Sequence, residues 1–417
     1  MPQYGGSSLR TRPASETLEI ARRMAPGLGI TRVTDITRLD RVGIPVSTSI
    51  RPGAHRHSLC VCAGKGLTWV DAHVGAYMEA IEFALAEPGR SPVPMVPGTA
   101  RDVLDGLPDT LLSLSPKFGA EIALDAPLLC APAVEIVSGQ PCLLPADLVF
   151  HPGPSLSDRA APFISSTNGL ASGNTLLEAT VHGLAEVIER DIQSFRFFRD
   201  GSRLIRPDSM PAPAALLQEA IAGAGLDLYV RYAPNVYGLP YFSAVIVDPQ
   251  AASPLYVNGG YGLHPHRAIS LVRAVTEAVQ SRLSFIHGGR DSLSVDYRHY
   301  EGASAADLAA QMAAQTAVAA DPAGSIAYDD VPDYSAETPD VETAFAFLTA
   351  ALARQGMTRI CRTAFTEPGS PLHVVKIVVP GLEFWDDRSR RVGPRLRDYV
   401  ETIQSNTVRG TDPLRAA

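Results

Sequence analysis

The feature that most constrains the fold is a helical segment, residues 174–199, with two segregated faces. At about 100° per residue its acidic side chains fall within about 80° of one another, while its apolar side chains form a separate face. The polar stripe contains Glu178, His182, Glu186 and Glu189, and the apolar stripe contains Leu177, Val181, Leu184 and Ile188. Such a helix must dock its apolar face on a core, and three carboxylates then lie together with only Arg190 beside them.

Two further helical segments repeat this arrangement. Residues 71–88 place Glu79 and Glu82 one turn apart on one face. Residues 265–287 have a polar stripe made of Ser270, Arg273, Glu277, Gln280 and Ser284. A single stripe of this kind is usually a solvated helix face. Three of them can bring five or six carboxylates together, and Mg²⁺ with phosphate oxygens would neutralise such a cluster.

The rest of the pattern indicates an α/β or α+β protein with sheets flanked by helices. Strands are predicted within five regions: 29–52, 56–70, 124–150, 226–262 and 371–379. Further helices are predicted at 15–23, 303–320 and 341–355, and the acidic stretch 321–340 is predicted as an exposed linker. We divide the chain into an amino-terminal arm with the first strands (1–50), a main domain (51–390) and a tail (391–417).

Composition excludes several classes of protein. The chain has 417 residues, 46% of them hydrophobic, which excludes a mostly disordered chain. No apolar run approaches the ~20 residues of a membrane span, and no secretory signal is visible, so a cytoplasmic protein is expected. The formal net charge of -8 gives no field that attracts nucleic acid. The five cysteines indicate free thiols in a reducing compartment, and Cys60 and Cys62 fit strand packing better than a zinc site.

Familiar catalytic motifs are missing from the sequence. There is no GxxxxGK[ST] loop, no HExxH and no GxSxG, so a P-loop, a zinc hydrolase of that type and an α/β-hydrolase serine are unsupported. Lys65, in the GKG turn, and Arg190 are candidate phosphate contacts. Asn174 is predicted to cap the acidic helix, and Gly169 and Gly173 would permit a tight anion-binding loop before it.

Three segments together resemble the YcaO superfamily. They are GKGLTWVDAHVGAYMEAIE, SSTNGLASGNTLLEATVHGLAEVIERD and TEAVQSRLSFIHGGRD, in the family's order. The resemblance extends from about residue 10 to residue 385. It implies the YcaO-type fold, with the ATP site between mixed sheets and helices, and an ATP- and Mg²⁺-dependent enzyme that acts on peptide backbone amides.

The resemblance also implies the residues of the site. The nucleotide and its metal are expected at Arg10, Arg12, Thr17, Lys65, Glu79, Glu82, Asn174, Glu178, Glu186, Glu189, Arg190, Glu277 and Gln280. The metal is expected among Glu79, Glu82, Glu178, Glu186, Glu189 and Glu277. No catalytic base is evident. One departure is Gly75, where the family usually has a serine.

The segments GITRVTDITRLDRVGIPV and VVKIVVPGLEFW resemble the subgroup that is paired with TfuA proteins and associated with thioamide formation. The sequence ends without the Pro-x-Pro-x-Pro tail of many azoline-forming members. The expected function is therefore backbone thioamide formation with a sulfur donor, on a precursor peptide of a ribosomal natural product. The resemblance further implies a TfuA-like partner and a homodimer. The alternatives are an azoline-forming cyclodehydratase, a macroamidine-forming enzyme, a metallohydrolase that needs no nucleotide and a non-catalytic peptide-binding scaffold.

Overall fold

The computed structural model describes residues 3–106, 111–155, 161–290, 293, 298–385 and 390–408. Its strands are β1 (Gln3–Gly5), β2 (Ser8–Arg10), β3 (Arg32–Asp35), β4 (Val46–Ile50), β5 (Val61–Lys65), β6 (Val96–Thr99), β7 (Pro127–Glu135), β8 (Gln140–Pro145), β9 (Leu170–Gly173), β10 (Arg203–Leu204), β11 (Asp227–Tyr232), β12 (Tyr241–Val247), β13 (Val257–Leu263), β14 (Cys361–Ala364) and β15 (His373–Val378). Its helices are α1 (Ala14–Met24), α2 (Trp69–Ala86), α3 (Ala100–Gly106), α4 (Ala146–Val149), α5 (Leu176–Phe198), α6 (Ala212–Gly223), α7 (Arg267–His287), α8 (Ala305–Ala320), α9 (Val341–Arg354) and α10 (Pro394–Val408).

The described strands form four sheets. A six-stranded sheet has the order β6-β7-β14-β15-β9, with β8 beside β7. A four-stranded sheet has the order β10-β11-β12-β13, a three-stranded sheet has the order β3-β4-β5, and β1 pairs with β2. Every pair of these strands is antiparallel. The sheets flanked by helices confirm the predicted class, in its α+β form.

Each of the three acid-bearing helices packs mainly on a different sheet. Helix α2 lies on β4 and β5, helix α5 lies on β9 and β15, and helix α7 lies on β12 and β13. The apolar stripes provide these contacts, since Ile81, Leu184 and Val275 are fully buried. Because α2 also contacts β9 and α7 also contacts β5, the three sheets meet around the polar faces of the helices.

Glycines allow the close approach of α2 to β5. A Cβ atom at Gly64 would lie 2.1 Å from both the Ala72 oxygen and the Ala76 nitrogen. A Cβ atom at Gly75 would lie 3.1 Å from the Gly64 Cα atom. The glycine at position 75 therefore belongs to this strand–helix contact, and a serine there would crowd the strand.

We expect Gly64→Ala to lower the free energy of unfolding by about 1–3 kcal/mol, because backbone atoms must move to admit the methyl group. Urea unfolding followed by circular dichroism measures the change. Gly27→Ala is the matched control, since no other atom lies within 4 Å of a Cβ placed there. Equal stability of the two variants would contradict the packing argument.

Several local predictions were wrong. Thr175, not Asn174, caps α5, because its hydroxyl accepts the Glu178 backbone N–H. The predicted glycine-rich loop at 168–174 is mostly strand β9. The predicted exposed linker at 321–340 instead buries Tyr328, Val331 and Thr338, since its acidic residues alternate with packed ones.

The termini of the described chain also contain regular structure. Strands β1 and β2 form a hairpin, and residues 3–13 are called here the amino-terminal arm. The predicted tail contains α10, while residues 409–417 lie outside the described residues, as does Asp291 of the third motif. The predicted boundaries at residues 50 and 390 stay predictions. No helix in the described ranges is long and apolar enough to cross a membrane.

Candidate nucleotide and metal site

One cavity of about 580 Å³ lies where the three sheets meet. All the site residues expected from the sequence line it: Arg10, Arg12, Thr17, Lys65, Glu79, Glu82, Asn174, Glu178, Glu186, Glu189, Arg190, Glu277 and Gln280. The predicted convergence of the acidic stripes is therefore observed, although the role of each residue is a separate question.

Helix α5 carries Glu178, which binds the amino-terminal arm. Arg10 Nη1 lies 3.0 Å from Glu178 Oε1, and both the backbone N–H and the hydroxyl of Thr11 donate to Glu178 Oε2 at 2.9 and 2.6 Å. Asn174 Nδ2 also donates to this carboxylate, and Asn174 Oδ1 accepts from the Thr17 hydroxyl at 2.7 Å. Burial alone would raise the pKa of Glu178, but Arg10 and Thr11 reverse the effect and lower it. Glu178 is thus an ionised anchor for the arm.

Helix α2 contributes Glu79 and Glu82. Glu79 Oε2 accepts from the Ala63 backbone N–H at 2.7 Å, on the edge of β5 that faces the cavity, and Glu79 Oε1 lies 3.6 Å from Arg290 Nη2. Glu82 accepts a hydrogen bond from the Ser172 hydroxyl on β9. Burial raises the pKa of Glu82 to about 8, with Ser172 opposing the rise and Glu186 and Glu79 adding to it.

Helix α7 contributes Glu277 and Gln280. Lys65 Nζ donates to Glu277 Oε2 at 2.7 Å, and Gln280 Nε2 donates to the Ala63 carbonyl oxygen at 2.8 Å. Burial alone would raise the pKa of Glu277, but Lys65 and Arg190 reverse the effect and lower it. Gln280 and Glu79 together satisfy the backbone groups of Ala63, so the polar stripes of two helices hold the edge of one strand.

The two glutamates nearer the carboxyl end of the α5 stripe, Glu186 and Glu189, have fewer hydrogen-bond and ion-pair partners. Burial raises the pKa of Glu189 to about 7, with Arg190 opposing the rise and Glu277 adding to it. Burial likewise raises the pKa of Glu186, and Arg190 opposes the rise. No side chain among the described residues lies within hydrogen-bond or ion-pair distance of the Glu186 carboxylate. A backbone hydrogen bond from Gly169 also opposes the rise, and the carboxylate keeps other lone pairs available for a cation.

Basic side chains from outside the acidic stripes balance most of the charge of the cavity. Besides the predicted Arg10, Arg12, Lys65 and Arg190, the cavity is lined by Arg273 and Arg290, so six basic side chains face the six glutamates and Asp71. The acidic stripes alone did not indicate these cations, because most of them come from other segments.

The donor set nevertheless fits Mg²⁺ held jointly with phosphate. Within the described ranges, no three Asp, Glu, His or Cys side chains are grouped so that they alone would hold a metal ion. Mg²⁺ is commonly bound by one or two carboxylates together with substrate phosphates and water. Glu82, Glu186 and Glu189 are suited to that mode, because a bound cation would favour the ionised form that burial disfavours.

We expect Mg²⁺-dependent ATP affinity to weaken as the pH falls from about 9 to about 7. Glu82 and Glu189 take up protons in this window, and a protonated carboxyl group is a poor Mg²⁺ ligand. Calorimetric titration with ATP at constant Mg²⁺ measures the trend. Affinity that is flat or rises on acidification would contradict the assigned ionisation.

Sequence reasoning missed four polar contacts in the site. Ser172 alternates inward on β9, and Arg290 lies near the end of the third motif but was not selected. Arg273 was placed on a polar stripe but not selected, and its Nη2 atom lies 3.3 Å from His182 Nε2. Thr11 had no distinguishing signal, because its bonds to Glu178 join residues that are far apart in sequence.

A protein-family profile decides the identity. The family described as YcaO cyclodehydratase, ATP- and Mg²⁺-binding, matches residues 63–383. The chain belongs to the YcaO family. It is therefore an ATP- and Mg²⁺-dependent enzyme of a peptide-modifying family, as the sequence resemblance implied, and not a bare scaffold.

Two relatives align with this YcaO protein over most of their length. An uncharacterised protein of Methanothermobacter thermautotrophicus is 32% identical over 392 residues, covering 93% of this chain and 98% of the relative. An uncharacterised protein in the tfuA 3′ region of Rhizobium leguminosarum bv. trifolii is 32% identical over 394 residues, covering 88% of this chain and 87% of the relative.

Solved structures support the YcaO fold. The YcaO protein of Methanopyrus kandleri, bound with AMPPCP and Mg²⁺, matches with a TM-score of 0.72 and 23% identity over 93% of this chain and 96% of that chain. A heterocyclase in complex with substrate and cofactor matches with a TM-score of 0.76 and 20% identity, over 97% of this chain and 56% of that chain.

Proposed function

We propose that the chain replaces a backbone amide oxygen of a precursor peptide with sulfur, using ATP, Mg²⁺ and a sulfur donor. The observation that supports this choice within the family is the Rhizobium relative, which is 32% identical and lies in a tfuA 3′ region. It agrees with the two segments that resemble the TfuA-paired subgroup, residues 29–46 and 374–385.

The cavity residues divide into two proposed groups. The basic and hydroxyl groups bind the nucleotide phosphates, because guanidinium and ammonium groups donate charge-assisted hydrogen bonds to phosphate oxygens. These are Arg10, Arg12, Thr17, Lys65 and Arg190. The carboxylates with the fewest side-chain partners, Glu82, Glu186 and Glu189, are the preferred metal ligands. Glu79, Glu277, Asn174, Glu178 and Gln280 hold the walls through the contacts described above.

The chemistry explains the need for ATP. The amide C–N bond is strongly conjugated, and its oxygen is a poor leaving group. Phosphorylating that oxygen makes phosphate the leaving group, so that a sulfur nucleophile can replace it. Mg²⁺ would neutralise charge on the phosphates and align the transfer. The chain itself positions the reactants and supplies fixed charges, which is the main protein contribution in phosphoryl transfer.

A second candidate is azoline formation, favoured by the cyclodehydratase description of the family and by the heterocyclase match. There the nucleophile is a neighbouring Cys, Ser or Thr side chain, and the product loses water. Macroamidine formation, with an amine nucleophile, also loses water. Product mass separates these reactions from thioamide formation, which keeps every backbone bond and exchanges one atom.

Mass spectrometry of the precursor peptide tests the proposal, after incubation with the enzyme, ATP, Mg²⁺ and sulfide. A gain of about 16 Da is expected, against a loss of about 18 Da for either dehydration. Omitting sulfide should abolish the gain. A loss of about 18 Da that is independent of sulfide would overturn the thioamide assignment and leave the ATP site intact.

We also propose a TfuA-like protein as the partner and a homodimer as the assembly. Partner dependence follows from the same Rhizobium gene neighbourhood. Adding the TfuA-like protein should raise the rate of thioamide formation, and size-exclusion chromatography with light scattering should give twice the chain mass. A rate that is unaffected by the added protein would remove the partner from the proposal.

A further inference from the structure

A second, much smaller cavity of about 40 Å³ lies next to the first. Its polar lining includes Ser113, Ser166, Asn168, Lys376 and Arg391. Two of these side chains are basic and at least nine-tenths buried, since Lys376 is 2% exposed and Arg391 is 8% exposed. No carboxylate lines this cavity among the described residues, so its lining favours a small anion.

The wall between the two cavities is one residue thick. Along the segment before β9, Ser166 and Asn168 line the small cavity while Thr167 and Leu170 line the large one. On α5, Glu186 lines the large cavity and its neighbour Val187 lines the small one. A species held in the small cavity is therefore next to the proposed metal and phosphate site.

Lys376 lines the small cavity beside this wall. It is on β15, opposite Leu170 of β9, and its Nζ atom donates to the Ser166 carbonyl oxygen at 2.5 Å. No carboxylate of the described residues lies within ion-pair distance of that ammonium group. A buried cation without a counter-ion is costly, so an anion beside it would be stabilising. Burial lowers the pKa of Lys376 to about 7, with Glu186 opposing the change and Arg391 adding to it.

Asn168 supplies the complementary group. Its Oδ1 atom is buried and accepts no hydrogen bond from the protein. The small cavity therefore presents a cationic donor and an unsatisfied acceptor to the same small space. A halide can use only the donor, whereas an anion with one heavy atom and one hydrogen can use both.

We propose that the small cavity is an anion subsite and that hydrosulfide, HS⁻, is the anion it holds for the reaction. The assignment of hydrosulfide rests on the proposed thioamide function, whereas the anion subsite itself does not. A volume of about 40 Å³ holds about three water-sized particles, which suits a sulfide and is too small for a hydrated phosphate. In this position the Lys376 ammonium group donates to a sulfur lone pair, and the S–H donates to Asn168 Oδ1.

The reaction balances with hydrosulfide as the nucleophile. The amide oxygen takes the γ-phosphoryl group of ATP, a C–S bond forms, and the C–O bond breaks to release phosphate. ATP, HS⁻ and the amide thus give ADP, hydrogen phosphate and the thioamide, and the hydrosulfide proton leaves on the phosphate. No oxidant or reductant is required.

Bromide is the probe for the subsite, because it is a monoatomic anion close to hydrosulfide in size. Anomalous scattering from bromide-soaked crystals should show a peak beside Lys376 Nζ, and Lys376→Met should abolish it. In solution, bromide should inhibit competitively with sulfide and not with ATP. The absence of a peak in the wild-type enzyme would overturn the anion subsite, whatever the product of the reaction is.

Kinetics test the hydrosulfide assignment separately. In Lys376→Met the KM for sulfide should rise about tenfold or more, the effect of losing one charge-assisted contact, while the KM for ATP stays within about twofold. Arg354→Met is the control, since it removes one charge from the exposed end of α9. An unchanged KM for sulfide, or an equal rise for ATP, would overturn the assignment. A product that contains no sulfur would instead refute the proposed function.

Discussion

Glu186→Gln is expected to reduce ATP turnover at least about a hundredfold while the protein stays folded. The substitution keeps the shape of the side chain but removes the charge of the glutamate that has no side-chain partner in the described part of the cavity. Loss of a metal ligand should raise the Mg²⁺ concentration needed for half-maximal activity. Phosphate release measured across a range of Mg²⁺ concentrations gives both quantities.

The control for this variant is Glu342→Gln, which removes an equal charge from an exposed position at the start of α9. It should retain wild-type turnover and the same Mg²⁺ dependence. Thermal unfolding should show that Glu186→Gln is folded, and a raised melting temperature is acceptable because a buried charge has been removed. Near-normal turnover in Glu186→Gln would count strongly against its role at the metal.

Glu178→Ala is expected to release the amino-terminal arm and weaken ATP binding about tenfold or more. The substitution removes the acceptor for Arg10, Thr11 and Asn174. Arg10 and Arg12 would then no longer be held at the cavity, whereas Thr17 on α1 keeps its hydrogen bond to Asn174. Trypsin cleavage after Arg10 reports release of the arm, and calorimetry reports ATP affinity.

A metal-binding role for Glu178 predicts a different result. In that case affinity would fall only when Mg²⁺ is present. If the arm is released and affinity falls with and without Mg²⁺, Glu178 acts as the anchor of the arm. Glu342→Ala serves as the control, because it removes a glutamate from an exposed helix start.

Helical periodicity made much of the site predictable. The acidic and apolar stripes of α5 are determined by residues three and four apart, so their segregation is visible in the sequence. Once each apolar face docks on its sheet, the acidic faces of α2 and α7 must face the space between the sheets. The convergence of Glu82, Glu186 and Glu277 was therefore predictable, and the family resemblance selected the same residues.

The sequence could not show which partners neutralise the acids. Arg10 and Glu178 are 168 positions apart, and Lys65 and Glu277 are 212 positions apart. Such pairs form only through tertiary packing, and helical periodicity gives information only about residues within one helix. The cap of α5 was misplaced by one residue for a related reason, since Asn174 is used by Thr17 and Glu178 rather than by the helix end.

Titration of the wild-type enzyme with ATP, with and without Mg²⁺, tests most directly whether this cavity binds the nucleotide through a metal. Tight binding should require Mg²⁺, with affinity lower by about tenfold or more in its absence, and Glu186→Gln should remove most of that difference. Equal affinity with and without Mg²⁺, in both the wild-type enzyme and the variant, would contradict the assignment of these glutamates.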